Sequence, residues 1–262
     1  MKSNVLLLGV MACSLQAGAQ YRENSLNQAG LPPVKIRYLN DSPIVKKGYK
    51  QWIVPGTLIL YGFMTLHLDG LTDINEDVKD EIWTESPHHT LTIDSYLQFV
   101  PAAAFYGLTL AGVKGEHNLL DGTMIYALSN LIMGISVYSV KYITHEQRPD
   151  GSNYQSFPSG HTAEAFASAE FLRQEYNNVS VWYGVGGYLV AGSVAYLRMY
   201  NNKHWLSDVV AGAGFGMAST RLSYLLYPKV KKLFSKTKMH DSMVMPYYQD
   251  KAIGLSFIHV FK

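Results

Sequence analysis

Two histidines, three cations, one carboxylate and a Ser-Gly turn fall between Lys141 and Asp208 of this 262-residue chain. They are Lys141 and Arg148, then Pro158-Ser159-Gly160-His161, then Arg198, His204 and Asp208. These residue types suit the holding of a phosphate-sized anion and attack upon it. Arg grips such an anion with two parallel hydrogen bonds, and Lys adds a point charge. Lys141 and Arg148 are seven residues apart, two helical turns, so a helix running through both would present them on one face. Pro149 would then stop that helix. Taken alone, the two cations fit equally well a helix end that complements its dipole or meets lipid headgroups.

Ser159 is a natural N-cap for a helix opening at Gly160. A helix start offers unpaired N–H groups and a positive dipole end, and Gly160 lets the backbone come close to an anion. His161 falls in the first turn, within reach of the same anion, although Ser-Gly-His by itself is more often plain capping. The i,i+4 spacing of His204 and Asp208 lets the carboxylate take the proton of one ring nitrogen. The other nitrogen is then unprotonated and free to act as a nucleophile. An isolated pair of this kind is more commonly structural. Metal ligation by His161, His204 and Asp208 is a third reading, weakened by the Lys and Arg residues that would repel a cation.

Each fragment is weak, and the set is specific. Lys141-x6-Arg148-Pro149, Pro158-Ser159-Gly160-His161 and Arg198-x5-His204-x3-Asp208 resemble the three motifs of the type 2 phosphatidic acid phosphatase (PAP2) superfamily. That family includes membrane lipid phosphatases, soluble bacterial acid phosphatases, glucose-6-phosphatase and vanadium haloperoxidases. The resemblance spans roughly residues 50 to 227. One departure is Leu197, where the family usually carries a serine that donates an auxiliary hydrogen bond. The resemblance implies that His204 attacks phosphorus, Asp208 holds its ring, and His161 protonates the leaving oxygen and then activates water. It implies phosphate binding by Lys141, Arg148, Ser159, Gly160 and Arg198, no metal or other cofactor, and inhibition by vanadate or phosphate.

The elements that must position these residues are six apolar segments, at about 52–67, 96–113, 122–143, 160–175, 181–199 and 208–227. Their lengths suit helices, so the expected fold is all-α: a six-helix PAP2-type bundle with the site at helix ends. Glycines cluster at 184–187 and 212–216, which points to close helix packing. Residues 69–94 read as short acidic surface helices, with His88-His89 on a solvated loop. The tail from Met243 to Phe261 alternates in part like a β-hairpin. The expected organisation is a signal peptide at 1–20, an extended lead-in at 21–50, the phosphatase-type domain at 51–228 and a basic tail at 229–262.

The formal net charge of +2 lacks the basic concentration of a nucleic-acid binder. The chain is 48% hydrophobic and 16% charged, yet its mean hydropathy is −0.01, which suits a membrane-associated helical protein. Lys2, the apolar run Val5 to Met11 and the small residues Ala17-Gly18-Ala19 make a secretion signal. Cys13, the one cysteine, offers an alternative as a lipid-attachment site. Lysines 46, 47 and 50 and the basic tail place both bundle ends in the cytoplasm by charge bias, which conflicts with a cleaved signal if all six segments span. The signal is the stronger of the two, so an early segment, the first above all, is expected not to cross. The site is then expected in the cell envelope, facing the periplasm. Apolar segments, basic flanks and the eight-residue link between Pro149 and Pro158 favour a lipid phosphate, with lipid A first. Undecaprenyl diphosphate, phosphatidylglycerol phosphate, a broad acid phosphatase, a haloperoxidase and an inactive lipid-phosphate binding protein are the rivals.

Overall fold

The computed structural model describes residues 48–85, 88–236, 242–249 and 252–259. The chain divides into Met1–Ser42 and Pro43–Lys262, and all described residues lie in the second unit. The expected signal peptide, the Cys13 site and residues 21–47 of the lead-in lie outside the described residues.

Among the described residues eight helices carry the fold: α1 (Lys50–Thr65), α2 (Asp69–Lys79), α3 (Asp94–Leu97), α4 (Val100–Leu110), α5 (Leu119–Thr144), α6 (Gly160–Tyr176), α7 (Val181–Tyr200) and α8 (Leu206–Lys236). The fold is therefore all-α. The six apolar segments correspond to α1, α3 with α4, and α5 to α8. A five-residue π-helical turn, Asp80–Thr84, extends α2. The tail backbone forms β1 (Ser242–Gln249) and β2 (Ala252–His259), paired antiparallel from Ser242 opposite His259 to Gln249 opposite Ala252.

Helix α6 is the axis. Thirteen of its seventeen residues are buried, and α4, α5, α7 and α8 all pack on it. Alanines 163, 165, 167 and 169 keep its surface low, so neighbours come close. The approach of α8 is the tightest. A Cβ at Gly216 would stand 2.1 Å from the Ala163 carbonyl oxygen, and one at Gly212 would stand 2.6 Å from that of Ser159. The glycine cluster at 212–216 thus admits backbone against backbone. Polar residues of α5 are satisfied within the bundle: Ser129 bonds Thr220 at 2.7 Å, and Ser136 donates to the Ile132 carbonyl at 2.8 Å.

Three expectations need correction. Helix α5 does not run on through Arg148; it stops at Thr144, where His145 takes a left-handed conformation (φ 49°). Helix α8 does not end near 227 but continues to Lys236, because Tyr227 and Lys231 both bond Asp121 (2.6 Å each) and fasten its later turns to the start of α5. His88 is not simply solvated: its ring stacks on Tyr200 and its Nε2 meets the Tyr200 carbonyl oxygen at 2.7 Å.

Helix α5, with 26 residues, is the one described helix long and apolar enough to cross a membrane by length and composition. Only 22% of its most apolar window is buried, unlike a core helix. Helix α1 has 16 residues, about 24 Å, short of the roughly 30 Å hydrocarbon layer. Gly216→Ala should cost about 1–3 kcal/mol of unfolding free energy by overpacking, whereas Gly186→Ala, with open space around it, should cost nothing measurable. Denaturant unfolding of the two variants checks this.

Candidate active site

The site is built where three chain segments meet. The first is the loop after α5. Its own turns fold it back: the Arg148 N–H donates to the Asn153 carbonyl (3.0 Å) and the Ser156 N–H to that of Glu146 (3.0 Å). This return, rather than helical periodicity, brings Arg148 toward Lys141. The Lys141 ammonium donates to the Gln155 and Ser156 carbonyls (2.5 and 2.9 Å), so it anchors the loop from the last turns of α5. Trp205 Nε1 donates to the Gln147 carbonyl at 2.8 Å, and Lys203 pairs with Asp150 at 2.6 Å, joining the loop to the third segment.

The second segment is the start of α6. Ser159 is fully buried, and its hydroxyl caps the helix, accepting from the Thr162 N–H (3.4 Å) and hydroxyl (3.0 Å). The cap expected from sequence is present. Its hydroxyl oxygen accepts both bonds from Thr162, and Gly160 and His161 are the parts of this motif that line the cavity.

The third segment runs from the end of α7 to the first turn of α8. His204 precedes α8 rather than opening it. Asp208, three residues past Trp205, accepts from the Trp205 N–H at 2.9 Å, in the manner of a reciprocal cap. The same Oδ2 accepts from His204 Nδ1 at 3.2 Å and from the Ser156 hydroxyl. Asp208 also ties the second segment in, since its carbonyl takes the Ser159 N–H at 3.0 Å. Sequence gave no sign of Ser156, which stands 52 residues from Asp208.

Burial, together with Arg198, Lys141 and Arg148 close by, holds the His204 imidazole well below its ordinary pKa. Burial pushes the Asp208 carboxyl up to about 6, against the bonds from Ser156 and Trp205 that favour its charged form. At neutral pH the pair is a neutral imidazole donating from Nδ1 to a carboxylate, with the lone pair on Nε2. His161 is likewise lowered by burial and by Arg198.

Arg198 is buried, and its guanidinium pairs with Asp94 at 2.6 Å. Asp94 itself is 1% exposed, held on a segment that Asn201 clamps by bonding both backbone groups of Leu91 (2.8 and 2.7 Å). The acidic look of residues 69–94 concealed this one carboxylate with an inward role. The Nε atoms of Arg148 and Arg198 are buried and unpaired among the described residues.

A cavity of about 360 Å³ opens onto this junction. Lys141, Arg148, Gly160, His161 and His204 line one end; Phe99, Met133, Gly134, Val137 and Tyr138 give it an apolar side. Asp208, Arg198 and Ser159 stand behind the wall. Among the described residues no group of three or more His, Cys, Asp or Glu is placed to hold a metal.

Residues 122–232 match the family model described as the PAP2 superfamily. A curated relative, Lipid A 1-phosphatase of Porphyromonas gingivalis, is 36% identical over 153 residues, covering 58% of this chain and 34% of the relative. The match thus spans about a third of that relative's length. Two solved structures are similar: Aquifex aeolicus LpxE (TM-score 0.45, 21% identity, 58% of this chain and 94% of that one) and a transmembrane PAP2 type phosphatidylglycerolphosphate phosphatase from Bacillus subtilis (TM-score 0.43, 19% identity, 71% and 98%).

Ser156→Ala removes a bond that favours the Asp208 carboxylate, so Asp208 should titrate above its present value of about 6. Imidazole ¹⁵N shifts of His204, followed against pH, report that titration. An unchanged curve would show that the Ser156 hydroxyl contributes nothing to it.

Proposed function

Starting from residues 122–232 as a region of the PAP2 superfamily, we propose that the protein is a metal-independent phosphatase acting on a phosphate ester of an envelope lipid. The observation that carries this reading is the neutral His204 backed by Asp208, at the cationic end of a cavity whose other side is apolar. Nε2 of His204 attacks phosphorus in line, forming a P–N bond as the P–O bond to the lipid breaks. Asp208 compensates the positive charge that develops on the ring. His161 gives its proton to the departing lipid oxygen. It then takes a proton from water, which attacks phosphorus, releases inorganic phosphate and restores His204.

The cations supply charge complementarity where the phosphoryl oxygens gather charge. Lys141, Arg148, the Gly160 N–H and Arg198, steadied by Asp94, fill this role, with Ser159 setting the helix start that presents the N–H. Burial, and after it the same cations, depress the proton affinity of His161. An incoming phosphate dianion offsets the cations, so substrate binding raises the proton affinity of His161 toward that of the acid the leaving group requires.

For the substrate, the named relative is a lipid A 1-phosphatase, and a lipid A phosphate is the reading adopted here. Support also comes from the apolar side of the cavity and from exposed apolar residues along α5, including Leu131, Ile135 and Tyr142. These suit a membrane-associated protein of the cell envelope, exported by its N-terminal signal, with the site facing the periplasm. A broad periplasmic acid phosphatase and an undecaprenyl diphosphate phosphatase are the enzymatic alternatives. Mass spectrometry of lipid A from cells with and without the protein separates the first reading from these.

His204→Ala should leave a folded protein with no detectable phosphate release and no acid-labile phosphoenzyme; turnover in that variant near the wild-type rate would remove the mechanism. Phosphate release should also decline as pH falls through about 6, where Asp208 takes up a proton and loses its hold on the developing imidazolium. A pH profile of kcat/KM checks the position of that limb.

A further inference from the structure

Helix α6 buries three glutamates, and they are not alike. Glu170 is held by Arg173 (2.6 Å) and Arg221 (2.8 Å), and Glu175 by His117 (2.9 Å). Both therefore have a basic partner, and neither lines the cavity described above. Glu164 is 7% exposed, has no ion pair among the described residues and does line that cavity. Its Oε1 accepts from the Tyr126 hydroxyl of α5 and, at 3.3 Å, from the Ser168 hydroxyl. It follows His161 by three residues, about 4.5 Å along the helix axis. Gln98 and Phe99, between α3 and α4, and the apolar residues of α5 line the same cavity.

On the phosphatase reading above, we propose that Glu164 is a specificity-determining residue, accepting a hydrogen bond from a hydroxyl or amide N–H on the head group that carries the phosphate. The cationic end of the cavity takes the phosphate. A group one helical turn away meets a carboxyl fixed by two hydroxyls. As a buried carboxylate it repels a second anionic group, and burial already raises its proton affinity. A neutral donor satisfies it. The matching substrate class is a phosphorylated, acylated amino sugar, which bears amide and hydroxyl donors near its phosphate. A prenyl phosphate, with hydrocarbon in that place, offers none.

The test uses the full chain in detergent micelles, with lipid A and farnesyl phosphate as the two substrates. The readout is the ratio of their kcat/KM values. Glu164→Ala should lower the ratio in favour of lipid A tenfold or more, chiefly through KM for lipid A. Glu164→Gln, which keeps an acceptor oxygen, should hold the ratio within about threefold of wild type. Should the alanine variant fail to fold by circular dichroism, Glu164→Met fills the space without a comparable acceptor and replaces it. An unchanged ratio, or equal loss on both substrates in a folded variant, overturns the role of Glu164 while leaving the phosphatase reading intact. Wild-type protein inactive on both phosphates overturns the two together.

Discussion

A carboxylate with no exposed surface sits at the start of α8, and three chain segments converge on it through its Oδ2 and its backbone, while its Oδ1 has no hydrogen-bond partner among the described residues. Asp208 meets the Trp205 N–H, the Ser156 hydroxyl and the His204 ring through its side chain, and the Ser159 N–H through its backbone. Those contacts join the loop after α5, the start of α6 and the start of α8. Removing one donor to such a buried charged group typically costs about 1–3 kcal/mol, because the group loses a bond that offset its desolvation. The position in the first turn of a helix lessens that burden, since the dipole there favours negative charge. One residue thus fixes the His204 ring and locks three chain segments into register.

Charge of the opposite sign is left in excess around it. Lys141 spends its hydrogen bonds on backbone carbonyls, Arg198 is held by Asp94, and buried Nε atoms of Arg148 and Arg198 stay unpaired among the described residues. Mutual repulsion of cations in a poorly solvated place is unfavourable without an anion. The protein offsets this by over-determining the surrounding frame. Asn201 clamps Leu91, His88 stacks on Tyr200, and Lys203 with Trp205 pins the loop carrying Arg148. A rigid cationic site of this kind costs little to reorganise around an anion.

Packing sets the tolerance of the arrangement. Because Gly216 lets the α8 backbone rest on that of α6, His161 and Asp208 ride on two helices that cannot slide apart without opening a gap. The three buried glutamates of α6 show the same helix serving two purposes. Glu170 and Glu175 fasten it to its neighbours through basic partners, whereas Glu164 faces the cavity.

The sequence by itself determined the helical class, because six apolar segments of helical length leave few other ways to bury them. It also singled out the residues that the fold brings together: His161, His204 and Asp208 with their surrounding cations are a combination whose types and spacings restrict one another. Tertiary structure alone decided how those residues meet. Arg148 reaches the site by a loop that turns back, not by helix periodicity, and His204 meets Asp208 from outside the helix. Ser156, Asp94 and Glu164 were invisible because their partners lie 52, 104 and 38 residues away. Local spacing predicts contacts only along a continuous helix. Where the backbone reverses, the packing of distant segments chooses the neighbours, and a serine or an aspartate carries no mark of which carboxylate or guanidinium it will face.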